Sequence, residues 1–214
     1  MAVKQPRGYS SARRTERAQE TRAAILRAAR DRFIAHGYAA TAVRDIAEDA
    51  GVAFPTVYAA VGNKVALLAA VFDIAVAGDD EPVALADREF VRAAEADPDP
   101  RVLLRTFTHQ VITAGTRVAP ILAVIDEAAL SSPQIATLAE RTRAGLLAGT
   151  TRLAQNLADR GALRPGLDVP PAADILWMLA GGIVQQSLID RRGWTAEAAE
   201  DWLYDALDRL LLRP

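Results

Sequence analysis

The sequence predicts an all-α protein, and three observations predict it. Apolar residues recur at helical spacing, as in Val43, Ile46, Ala47 and Ala50 at i, i+3, i+4 and i+7. Glycine and proline fall between such stretches, at Gly37, Gly51, Gly62, Gly78, Pro98, Pro100, Pro133 and Gly161, where helices stop and start. No segment alternates apolar and polar residues as a half-buried strand does. With 214 residues, 51% of them hydrophobic, the chain can bury a core in one or two domains.

Taken in order, residues 1–17 hold Pro6, Gly8, Ser10 and Ser11 among Lys4, Arg7, Arg13, Arg14 and Arg17. Little there can build a core, so a disordered basic arm is expected. A first helix follows from about Ala18 to His36, with Ile25, Ala29 and Phe33 inward. Thr41 is then a suitable N-cap, its hydroxyl accepting from a first-turn amide. The short helix behind it ends at Gly51, in the left-handed conformation that glycine reaches cheaply. Phe54 to Val61 is long enough for about two further turns. Gly62-Asn63 turns and caps a helix running to Ala77, with Leu68, Val71, Phe72 and Ala75 inward. Gly78 to Pro82 is a loop. Beyond it, breakers separate helices at 83–96, 101–118, 120–130, 133–160, 171–191 and 195–212.

Several chemistries are excluded. There is no cysteine, so no disulfide or thiolate nucleophile exists. His36 and His109 lie far apart at no metal-ligand spacing, and no glycine-rich phosphate loop or Ser-His-Asp order is present. No cofactor, metal or catalytic residue is therefore expected. Adjacent acids such as Asp126-Glu127 point in different directions on a helix. The longest wholly apolar run, Ile175 to Val184, is ten residues, short for a bilayer span. The basic N-terminus lacks the apolar segment of a signal peptide, so a soluble cytoplasmic protein is expected.

Net charge is −2 but unevenly placed. Residues 1–64 carry eleven cations against six acids, and 65–214 carry fourteen against 21. The sign changes just after the two short helices, which suits a first domain that meets phosphate. Two short helices joined by a glycine turn make the helix-turn-helix plan, whose second helix enters the DNA major groove.

Residues 17–72 resemble the DNA-binding domain of the TetR (tetracycline-repressor-like) family of bacterial regulators. The matching residues are Ile25, Ala28, Ala29, Phe33, Gly37, Tyr38, Thr41, Val43, Ile46, Ala47, Ala50, Gly51, Val52, Thr56, Tyr58, Lys64 and Leu67, in order and at the family spacing. Ala53 departs from the usual Ser or Thr, and Val61 from the usual aromatic. The resemblance implies an N-terminal three-helix helix-turn-helix DNA-binding domain, 18–64, and a C-terminal helical ligand-binding and dimerisation domain, 65–214. It also implies a homodimer, formed by the Pro133 helix and the helix around Ile175–Val184 with their symmetry mates. Small residues, Ala144, Gly145, Ala148 and Gly149 on one and Ala180, Gly181 and Gly182 on the other, would permit close approach.

Thr41, Thr56, Tyr58 and Lys64 match family positions that contact the DNA backbone, and Arg44 sits in the first turn of the leading helix. Lys64 is poorly placed for its own helix dipole, which makes sense if its ammonium meets an external phosphate. Ala53, Phe54, Pro55 and Thr56 are the base-reading positions. Being mostly apolar, they point to thymine methyl contacts and DNA shape. The resemblance implies a small-molecule pocket in the second domain. Leu103, Phe107, Gln110, Ile125, Asp126 and Trp177 are the candidates to line it, for a largely hydrophobic effector. The expected function is a ligand-responsive repressor on a pseudo-palindromic operator. The alternatives are a DNA-binding protein whose second domain only dimerises, and a helical enzyme.

Overall fold

The computed structural model describes the backbone of residues 7–81 and 83–213, and side chains among them from residue 13 onward. Among the described residues the chain is helical, with α1 (Arg7–Ala40), α2 (Val43–Asp49), α3 (Phe54–Ala60), α4 (Lys64–Ala77), a 3-10 turn at Leu85–Asp87, α5 (Glu89–Ala96), α6 (Pro100–Ala129), α7 (Pro133–Asp159), α8 (Val169–Ala180), a π-helical turn at Gln185–Asp190 and α9 (Ala196–Leu211). A single antiparallel bridge, Leu163 to Leu212, ties the segment after α7 to the chain's far end.

Several boundaries differ from the sequence expectation: the helix expected over 83–96 is a 3-10 turn followed by α5, and that expected over 171–191 is α8 followed by a π-helical turn. Helix α1 begins at Arg7, so 7–17 is helical rather than a disordered arm; residues 1–6 lie outside the described residues. Between Gly8 and Gly37 that segment holds no helix breaker, and Arg, Ala, Glu and Gln are good helix formers. Gly37, at φ 75° and ψ 172°, interrupts α1 where its end was expected. Helix α6 runs unbroken through Pro120, where two helices were expected. The proline removes one amide bond, but Ile112 and Gly115 before it and Ile121, Val124 and Ile125 after it are all buried. Packing on both sides holds the helix together. Ala42, and not Thr41, is the N-cap of α2.

Two apolar cores result. The first gathers Ile25, Phe33, Ile46, Val57, Leu67 and Leu68 from α1 to α4 with Ile121 and Ile125 of α6 and Ile135 of α7. The second joins Leu103, Leu104 and Ile112 of α6 to Leu157 of α7, Leu176 of α8 and Leu203 and Leu207 of α9. Each such buried side chain contributes about 1.5–3 kcal/mol relative to exposure. Helix α6, 30 residues and therefore ~45 Å long, runs through both, as does α7, which gives Ile135 and Leu138 to the first and Leu153 and Leu157 to the second. The first core thus extends past residue 64 into α4, α6 and α7.

The stretch Val169–Asp190, 22 residues, is long and apolar enough by composition to cross a membrane. Its inner face, Ala172, Ala173, Leu176 and Val184, is buried in the second core. Its outer face exposes Trp177, Met178 and Ile183.

Candidate DNA-binding surface

The turn between α2 and α3 is built by backbone bonds. The Gly51 amide donates to the Glu48 carbonyl and the Val52 amide to the Ala47 carbonyl, both at 3.0 Å. With Gly51 at φ +67°, this is a Schellman ending, which only glycine makes without strain. Ala53 is the N-cap of α3, with extended dihedrals and no side-chain cap, and Pro55 stands in the first turn. Val57 faces inward and is wholly buried. The same turn therefore sends Phe54, Pro55 and Tyr58 outward.

Phe54 and Tyr58 are 40% and 47% exposed, large values for aromatic side chains. Their rings meet edge to face at 5.1 Å, so each fixes the other on the outer face of α3. Thr56 is half-buried and Ala53 exposed beside them. Arg44 is exposed on the first turn of α2. Two of the three acids of α2 pair with α1: Arg32 grips Asp49 through Nε and a terminal nitrogen at 2.5 and 2.8 Å, and lies 3.6 Å from Asp45. That hydrogen bond from Arg32 holds the Asp49 carboxyl below the usual carboxylate range.

Two expected backbone contacts take on structural duties. Thr41 is 2% exposed, and its hydroxyl donates to the Gly37 carbonyl at 2.8 Å. It braces the end of α1, where the sequence expectation had it capping α2 and meeting phosphate. Lys64 donates to the Ala39 carbonyl at 3.3 Å, and its ammonium lies 4.3 Å from the centre of the Tyr38 ring. Burial lowers its pKa from the ordinary lysine value. The mismatch with the dipole of α4 is offset by the carbonyl end of α1 and the Tyr38 face. Asn63 caps α4, its side chain accepting from the Ala66 amide at 2.9 Å.

Arg22 is a residue sequence reasoning missed. It donates to the Ala60 carbonyl at 3.1 Å, at the end of α3, and pairs with Asp80. Its partners are 38 and 58 residues away, so no local signal marks it.

The candidate ligand-lining residues are not brought together. Leu103 belongs to the second core and Ile125 to the first, about 33 Å apart along one continuous helix. Phe107 packs against the second core and Gln110 is half-buried beside it. Asp126 is exposed and paired with Arg143 at 2.8 Å. Trp177 is on the outer face of α8. None of these six lines either of two surface clefts of about 340 Å3. One cleft lies between α4 and α7, at Ala66, Ala69, Thr137 and Arg141. The other lies between α6 and the π-helical turn.

Residues 25–71 match the family described as bacterial regulatory proteins, tetR family. The chain is 31% identical over 218 residues to the "Probable HTH-type transcriptional regulator ArpR" of Pseudomonas putida, covering 94% of this chain and 97% of that protein. Its fold is similar to that of NalD, the secondary repressor of the MexAB-OprM multidrug efflux pump in Pseudomonas aeruginosa, at a TM-score of 0.69 and 24% identity over 92% of this chain and 98% of that one. It is similar also to the SmeT–triclosan complex, at a TM-score of 0.70 and 20% identity over 91% and 93% of the two chains.

Proposed function

This chain belongs to the tetR family of bacterial regulatory proteins, and on that premise we propose that it is a homodimeric repressor, released from a pseudo-palindromic operator by a small molecule. One observation carries the reading of the site: a single turn of α3 buries Val57 and presents Phe54, Pro55 and Tyr58 to solvent. A helix built this way reads bases through apolar contacts and shape, with Phe54, Pro55, Thr56 and the exposed Ala53 against the groove floor. Arg44, Tyr58 and the remaining N–H groups of Lys64 face phosphate. Thr41 supports this surface from behind. Two copies place their recognition helices about one duplex turn, ~34 Å, apart.

The dimer face is the outer side of α7 and α8. There Ala144, Gly145, Leu147, Ala148 and Gly149 are exposed beside Trp177, Met178 and Ile183. Exposed apolar surface flanked by small residues suits a symmetric helix-to-helix contact. A small-molecule effector is supported by the fold's likeness to SmeT, solved with triclosan. The protein works on DNA in the cytoplasm.

Selection of bound sequences from random DNA by the purified protein tests the reading. A pseudo-palindrome bound by two chains is expected, with affinity falling steeply as salt rises. A site bound by one chain, or binding indifferent to salt, would overturn it.

A further inference from the structure

Gln185 opens the π-helical turn and is only 6% exposed. Its Nε2 donates to Asp190 Oδ1 at 2.9 Å. That bond fixes the carboxamide, because the reverse orientation would set oxygen against carboxylate. Oε1 is then buried with no donor among the described residues. Such an acceptor weakens the fold, and Leu or Met would fill the same volume without that cost. The facing helix lies close against it. Gly115 of α6 has no side chain, and a Cβ there would come within 3.0 Å of Oε1. One turn further on, Pro120 has no N–H to give the Thr116 carbonyl. Thr116, Ala119, Pro120, Gln185, Gln186 and Asp190 line a cleft of about 340 Å3, the size of a small-ligand site. π-Helical turns are rare and are frequent at functional sites.

We propose that this cleft is the effector site, and that it takes an organic cation bearing N–H donors, such as a primary ammonium or an amidinium, on a small apolar body. The N–H groups donate to Gln185 Oε1 and the Thr116 carbonyl, the Asp190 carboxylate supplies the opposite charge, and Ala119 and Pro120 receive the apolar part. Among the described residues, no arginine or lysine lines the cleft to oppose the charge. Arg117, next to Thr116, is turned away: it donates to the Ala75 carbonyl at 3.1 Å and to the Thr113 carbonyl at 2.9 Å. It thereby ties α6 to the last turn of α4, so a ligand at Thr116 acts beside the residue that joins the two helices. The proposal rests on the ligand-responsive reading above.

The test is calorimetric titration of the full chain, without DNA, using three matched probes: 2-phenylethylammonium, its N,N,N-trimethyl derivative and 2-phenylethanol. The first keeps charge and N–H, the second loses N–H, the third loses charge. The ammonium should bind the wild type roughly tenfold or more tightly than either other probe. Gln185→Met should erase the advantage over the trimethyl probe. Asp190→Asn, a second variant that keeps a carboxamide partner for Gln185, should erase the advantage over the alcohol. Lack of saturable ammonium binding to the wild type, or equal preference in both variants, overturns the proposal. Operator binding measured on the same preparation separates the two readings. Operator bound with no probe response sinks this site alone, and no operator binding sinks the regulatory reading.

Discussion

Arg22 holds Asp80 with two nitrogens, at 2.7 and 3.2 Å, while its third nitrogen donates to the Ala60 carbonyl. One α1 side chain thus joins the last turn of the recognition helix to the loop beyond α4. Covalently, α4 is the connection between α3 and the C-terminal helices, and Arg22 adds a polar link to the apolar contacts of the first core. Arg22→Lys keeps the charge but cannot reach all three oxygens in one plane. The fold should lose at most about 1 kcal/mol, as for other exposed pairs. Operator affinity should fall several-fold as α3 loosens. Fluorescence anisotropy and a melting curve on the same variant check this. Unchanged affinity would mean that Arg22 serves stability alone.

Ala53 occupies the N-cap of α3 without a side-chain cap. Ala53→Ser supplies a hydroxyl to share the Thr56 amide, which already donates to the Ala53 carbonyl at 2.8 Å, and should stabilise the fold by at most about 0.5–1 kcal/mol. Thermal unfolding of the two proteins decides it. A midpoint that stays or drops would show that the serine finds no amide within reach.

On the proposed reading Tyr58→Phe removes a phosphate contact, and it should weaken binding to all sequences alike. Changes at Phe54 or Thr56 should instead shift preference among sites. Lys64→Ala should do more than reduce the salt slope of binding by about one: it also removes the bond to Ala39 and the contact with Tyr38, so melting should fall too. A base preference altered by Tyr58→Phe, with nonspecific affinity intact, would reverse these roles.

The Asp49 carboxyl is held below its ordinary range by the Arg32 hydrogen bond. A carboxyl whose folded pKa lies below its unfolded one contributes stability that is complete above the unfolded value, ~3.9, and is lost as pH falls through the folded one. Asp49→Asn should therefore lower stability at neutral pH and flatten its decline below about pH 4. Unfolding curves across that range, for both proteins, measure the difference. Parallel declines would place the acid sensitivity elsewhere.

What could be read from sequence was what local chemistry decides. The stripe Val43, Ile46, Ala47 and Ala50 and the Gly51 ending follow from spacing within a dozen residues. Thr41 was placed at a cap because its neighbours invite one, but its hydroxyl turns to the Gly37 carbonyl once α1 is in position. Pro120 carried a true local signal, overridden by burial on both sides of α6. Arg22 with Asp80 and Gly115 with Gln185 are joined across 58 and 70 residues, distances over which pattern carries no information.

The unbroken course of α6 through both cores sets what lengths this chain can change. A residue inserted near Pro120 would rotate every side chain beyond it by about 100° and advance it by about 1.5 Å. Ile121, Val124 and Ile125 would swing out of the first core while Leu103 and Leu104 stayed in the second. A residue inserted in the loop after Gly78 would disturb neither. Variation in chain length among working versions of this protein should therefore gather in its connecting loops, with the residue count of α6 held fixed.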